Sequence, residues 1–288
     1  MSAPRLLLGT TSLELPAHAT RDRALEVAAR FRESESLAVT LVKSLDAGAE
    51  GVYGPPTPVM RAALRELRRP VPMVVRLPLT PSDEDLHDDH PFQVAPDIGL
   101  SGVLVAARAG LAGLALMPAA MAGDLSARVV ARCEREAPGL GARLVRGVAF
   151  AASVTDLALA AGNARALERL VRWGRARFGG LAGFETRNLG TLLEKLHEWG
   201  VEPDFAIGAV NPRGFAMRPD SRSVLAALKR PGIPVIATDL RAGGTIELEE
   251  GARFALEQGA WGLCPELIEL DDVAAELRRL AKPGPATD

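Results

Sequence analysis

Short apolar runs that stop at Gly, Pro or Thr alternate along the chain with longer segments in which Ala and Leu recur among Arg and Glu at helical spacing. A short apolar run bounded by turn residues suits a strand buried on both faces, and a segment with one apolar stripe suits a helix packed on it. The runs that read as strands are LLLGT from Leu6, GVYG from Gly51, MVVRL from Met73, GLALM from Gly113, LAGFE from Leu181, FAIGAV from Phe205, VIATD from Val235 and WGLC from Trp261. Helical segments fall over 24–31, 37–45, 57–69, 98–109, 164–177, 189–199, 221–229, 248–258 and 271–280. Several end at clear stops: Gly200 follows Trp199, Gly259 follows Gln258, and Pro231 and Gly232 come soon after Lys229.

Strands and helices in this alternation predict an α/β fold whose eight parallel strands close into a (β/α)8 TIM barrel, which takes roughly 250 residues as a single domain. The whole chain, 1–288, reads as one such barrel with an insertion around 118–163. Inside that stretch LVRGVAF from Leu144 is a ninth strand-like run. It is either part of the insertion or a barrel strand that displaces LLLGT into a hairpin.

Charge and composition narrow the classes of partner. With 34 basic against 36 acidic residues and a net charge of −2, the chain offers no electrostatic footprint for nucleic acid or an anionic membrane. No apolar stretch reaches the length of a membrane span, and Cys133 and Cys264 lack the spacing of a zinc site or a disulfide framework. A cytoplasmic protein acting on a small molecule is the expectation, with the oligomeric state open. The lysines, Lys43, Lys195, Lys229 and Lys282, all fall in helical or terminal segments, which disfavours imine chemistry in a barrel mouth.

In such a barrel the chemistry sits at the C-terminal ends of the strands. The residues placed there are Thr10, Thr11, Tyr53, Arg76, Glu185, Thr186, Asn211, Arg213, Asp239, Arg241 and Glu266. Glu185 and Asp239 are the acid–base candidates, Arg76 a charge clamp, and Asn211, Arg213 and Arg241 the binding groups, because unlike charges at one mouth shift each other's pKa and hold anions. A structural ion network in which Arg76 pairs with Glu185 or Asp239 is the competing reading of the same residues. The segment TPSDEDLHDDHPF carries His87 and His90 among five acids, a ligand set for a divalent metal but also the composition of a solvated loop, so no metal ligands are assigned.

Segment by segment the chain also resembles the aldo/keto reductase superfamily. LLLGT is similar to its opening strand, SLAVTLVKSLDAGAEGVYG to its first helix and second strand, and MVVRL to its third strand. ALERLVRWGRARFGGLAGFETRN, FAIGAVNP and GIPVIATDLRAGG are similar to later helix and strand units. The resemblance implies the barrel and, in its active members, carbonyl reduction with NADPH by an Asp, a Tyr, a Lys and a His. That tetrad is not retained: Arg76 stands for the lysine, Met117 for the histidine, and Tyr53 occupies the place of the aspartate. Glu185 and Thr186 replace the family's Ser-Asn pair, and CPELIELDD is acidic where a 2′-phosphate would bind, so NADP(H) is disfavoured. The leading expectation is therefore a TIM-barrel enzyme using carboxylate acid–base chemistry on a polar or anionic small molecule. The alternatives are a divergent NADP(H)-dependent reductase using Tyr53 and a non-catalytic barrel that binds a ligand or a partner protein.

Overall fold

The computed structural model describes residues 5–14, 20–79, 124–140 and 144–281. Eight strands follow one another around a single sheet: β1 (Leu7–Gly9), β2 (Gly51–Gly54), β3 (Met73–Leu77), β4 (Val145–Phe150), β5 (Leu181–Glu185), β6 (Ala206–Ala209), β7 (Val235–Thr238) and β8 (Gly262–Leu263). Each pairs in parallel with the next. Parallel bridges Leu6↔Leu263 and Gly9↔Glu266 close the ring between β8 and β1. Two backbone bonds reinforce that seam, from Leu263 N–H to the Arg5 carbonyl at 2.8 Å and from Gly9 N–H to the Pro265 carbonyl at 2.9 Å.

The ring is packed from both sides. Leu7, Tyr53, Val74, Ala149, Phe205 and Ile236 belong to an apolar cluster inside the barrel. Leu8, Val52, Val75, Val148 and Phe184 point the other way, under the helices. Because side chains alternate along a strand, residues two beyond an inward one face inward as well. Arg76 follows Val74 at that interval, Thr238 follows Ile236 and Glu266 follows Cys264. The strand period thus delivers charged groups to the layer just above the apolar plug, at the C-terminal mouth.

The described helices are α1 (Arg21–Arg30), α2 (Ser34–Asp46), α3 (Pro58–Glu66), α4 (Leu125–Glu136), α5 (Ala152–Ala160), α6 (Ala164–Phe178), α7 (Leu189–Trp199), α8 (Ser221–Leu228), α9 (Leu248–Glu257) and α10 (Val273–Ala281). Their ends are written in the sequence. Thr20, Thr57, Asp124, Asn163 and Asp220 accept backbone N–H bonds at the starts of α1, α3, α4, α6 and α8. Gly179 and Gly200 turn left-handed, both at φ 65°, to end α6 and α7. Among the described residues no helix is long and apolar enough to cross a membrane.

Two sequence expectations change. GLALM and the helix expected over 98–109 lie outside the described residues, but GLALM does not occupy the fourth place in the barrel, because β3 pairs directly with Val145–Phe150. Met117, set in the place of the family's histidine, lies outside the described residues as well. The stretch 118–163, read as an insertion, supplies α4, β4 and α5, while LLLGT keeps its place as β1. Arg146 and Gly147 obscure the strand by breaking its apolar run. The structure shows why Gly147 is there: a Cβ would sit 2.8 Å from the Leu181 carbonyl of β5.

Candidate active site

A cavity of about 580 Å³ opens at the C-terminal mouth and collects most of the predicted site residues: Tyr53, Arg76, Glu185, Asp239 and Arg241 all line it. Asn211 and Arg213 do not. Asn211 is buried and spends its whole amide on backbone, its Nδ2 donating to the carbonyls of Phe215 at 2.8 Å and Asp239 at 3.1 Å. Its Oδ1 accepts the Phe215 N–H at 2.9 Å. Asn211 is thus a brace for the loops after β6 and β7, not a binding group. Arg213 is exposed outside the cavity wall.

Arg76 projects inward from β3 and is buried at 8% exposure, so its charge requires protein partners. Nε donates to Glu185 Oε2 at 2.6 Å and Nη1 to Glu14 Oε2 at 2.7 Å. Burial alone would lower the guanidinium's pKa, but the attraction of Glu185, aided by Tyr53 and Glu14, more than reverses it. Glu185 Oε2 also accepts the Ala152 N–H at 2.9 Å, at the start of α5. Both of its partners are donors, and it serves as the counter-ion of Arg76. The ion network expected from the sequence is present, with Glu14 in the place proposed for Asp239.

Tyr53 lies 1% exposed on β2, and Thr10 binds its carbonyl through N–H at 2.8 Å and Oγ1 at 3.0 Å. Burial first, then the charge of Glu185, pushes its phenol well above the ordinary range, against the pull of Arg76. The hydroxyl therefore stays protonated.

The chemically distinctive group is Glu266, two residues past Cys264 at the seam. Its Oε2 accepts the N–H groups of Thr11 at 3.1 Å and Ser12 at 3.4 Å. Its own N–H donates to Glu269 Oε2 at 3.1 Å, so the two carboxyl groups are held together beside the cavity. Burial, then repulsion from Glu269, pushes Glu266 up to about 8, although the Thr11 and Ser12 donors oppose the shift. Burial also raises Glu269 to about 7, Asp239 adding to the effect and Arg241 opposing it. Gly9 makes room for this pair: a Cβ there would overlap the Glu266 carboxyl.

On the β7 side, Asp239 adopts φ 52°, a left-handed conformation uncommon outside glycine that Asp tolerates better than most residues. The Asn211 bond to its carbonyl fixes that turn. Arg241 Nη1 donates to the Glu269 carbonyl at 2.8 Å, and its Nε is buried without a hydrogen-bond partner among the described residues.

Reading by strand ends named Glu266 only as one of the mouth residues and as an obstacle to phosphate. Glu14, Ser12, Arg187 and Arg218 also line the cavity and come from loops, where period-two reasoning gives no direction. Neither cysteine is a nucleophile: both are buried, and burial pushes each thiol up. Of the lysines, Lys43, Lys195 and Lys229 stand outside the cavity, and Lys282 lies outside the described residues. His87 and His90 also lie outside the described residues, among which no group of three or more His, Cys, Asp or Glu is arranged to hold a metal.

Fold and site together define a TIM-barrel protein with a charged cavity at its strand C-termini. No protein-family model matches the chain, and no curated protein matches it. One solved structure similar to it is described as QR15, an aldolase, with 12% identity over 86% of this chain and 90% of that one and a TM-score of 0.44.

Proposed function

We propose that the chain is a TIM-barrel enzyme that performs acid–base chemistry on a polar or anionic small molecule bound in the mouth cavity. The observation that carries the reading is the pair Glu266 and Glu269. Two carboxyl groups are held beside a ligand-sized cavity, and they change protonation near neutral pH. The Glu266 carboxyl accepts the backbone N–H groups of Thr11, Ser12 and Glu269, which hold it in place while burial keeps its proton on. A carboxylic acid kept neutral at pH 7 can donate that proton, and an adjacent carboxylate can take one, which is the division of labour that general acid–base catalysis requires. With two strongly interacting groups, the protons belong to the pair. Among the described residues neither a lysine nor a reactive thiol lines the cavity, so the substrate is handled without an imine or a thioester.

The test is enzyme-dependent exchange of substrate C–H for deuterium in D₂O, followed by proton NMR over a panel of small hydroxy and oxo compounds. Exchange of a proton next to a carbonyl, lost in Glu266→Gln, is the expected result. Exchange that survives in that variant at the wild-type rate would remove Glu266 from the chemistry.

The resemblance to aldo/keto reductases suggests a different chemistry, with Tyr53 giving the proton and NADPH the hydride. A 2′-phosphate on the β8 side would meet Glu269 and Asp271, both in the cavity wall. Calorimetric titration with NADPH is expected to give no saturable heat; a low-micromolar affinity would favour the reductase over the acid–base enzyme.

A further inference from the structure

Ser12 Oγ, Tyr53 Oη and Arg241 Nε belong to residues lining the same cavity, and all three atoms are buried without a hydrogen-bond partner among the described residues. Ser12 is 8% and Tyr53 1% exposed. An unmade bond to a buried polar atom is costly, and all three are able to donate. A wall with several such donors suits a ligand that brings oxygen lone pairs.

The opposite rim adds charge. Arg187 follows β5 and Arg218 follows β6, both lining the cavity. Their loops are tied together, since the Arg218 carbonyl accepts the Gly190 N–H at 3.0 Å. Asp156 is engaged by the Thr186 hydroxyl and by the Arg187 backbone N–H. Among the described residues neither guanidinium takes part in an ion pair.

We infer that the cavity binds a short anion with a further hydroxyl or carbonyl oxygen, its anionic group between Arg187 and Arg218 and its second oxygen on the Tyr53 hydroxyl. A hydroxy acid, an oxo acid and a small phosphate ester share this chemistry. The inference names a substrate class for the acid–base reading and rests on it for the choice of cavity.

Tyr53 is the only tyrosine in the chain, so protein labelled with ¹³Cζ-tyrosine gives one signal from inside the cavity. Malate and glycerol 3-phosphate, titrated at constant ionic strength, test the carboxylate and phosphate sources. At least one is expected to shift that signal saturably. Succinate, which keeps the charges but lacks the hydroxyl, should bind by calorimetry and move the signal less, and glycerol should do neither. Arg187→Gln combined with Arg218→Gln should weaken the anion at least tenfold. Both residues are exposed, so an unchanged melting temperature and circular dichroism spectrum are expected alongside.

Equal affinity in wild type and the double variant, no movement of the Tyr53 signal by either anion, or an equal shift by glycerol would each overturn the inference. Anion binding with exchange unaffected in Glu266→Gln removes only the acid–base reading. Exchange on uncharged substrates, lost in Glu266→Gln, together with no anion binding removes only this one.

Discussion

Arg76→Met will lower the stability of the folded chain by roughly 3–5 kcal/mol, the usual cost of leaving a buried charge without its partner. One guanidinium serves two carboxylates, and the side chains of Arg76, Glu14 and Glu185 are only 9%, 13% and 20% exposed, too little for water to replace the missing ion. Methionine fills the stem of the arginine side chain and packs well among apolar neighbours. The loss is therefore one of charge compensation, not of volume. Urea unfolding at pH 7 measures it. Arg76→Lys should fall between the two, since it retains the charge but cannot reach both acids with a rigid fork. A loss under 1 kcal/mol for the methionine variant would show that the cluster is not a buried ion network.

The second large effect is alkaline. The ordinary value for a glutamate is 4.5, and the folded chain holds Glu266 near 8 and Glu269 near 7. Between these values the folded state binds more protons than the unfolded one, so stability falls as pH rises. The contribution is whole below about 4.5 and gone above about 8, the reverse of a salt-bridged carboxylate. For Glu266 the full shift corresponds to about 5 kcal/mol, and its partial opening to the cavity reduces the expected loss to on the order of 3 kcal/mol. Glu266→Gln removes this dependence, because a glutamine Oε1 still accepts from Thr11 and Ser12 but cannot ionise. Unfolding curves collected from pH 4 to pH 9 should show wild type losing about 3 kcal/mol relative to the variant. Parallel curves would mean that Glu266 ionises normally.

The parts of the fold that were legible in the sequence are those governed by period and punctuation. Seven strands lie at or within a residue or two of the runs read from the sequence, because each is a short apolar run bounded by turn residues. The run around Gly147, LVRGVAF, also reads as a strand, and what the sequence leaves open is its place in the barrel, because GLALM competes for the fourth position. That glycine is required by the carbonyl of the next strand, a demand that only the assembled sheet makes visible. Tyr53, Arg76 and Glu185 follow from their position at strand C-terminal ends, which brings a residue to the mouth but does not name its neighbours. Thus Arg76 was placed correctly, one of its partners was identified, and the other, Glu14, was missed because it comes from a short 3₁₀ turn after β1. Asn211 shows the opposite failure. A polar residue just beyond a strand resembles a ligand contact, and nothing in the sequence reveals that a loop has folded back to use all of its hydrogen-bonding capacity.

The way the barrel closes has a mechanical consequence. Seven of its junctions are parallel ladders, that between β3 and β4 with a register shift at Met73 and Val74, while the eighth, between β8 and β1, is made of isolated bridges, two backbone bonds and the clasp of Glu266 on the turn after β1. When that carboxyl loses its proton, it gains charge in a buried place at the joint whose strands form no continuous ladder, so the closure of the ring and the protonation of Glu266 meet at one residue.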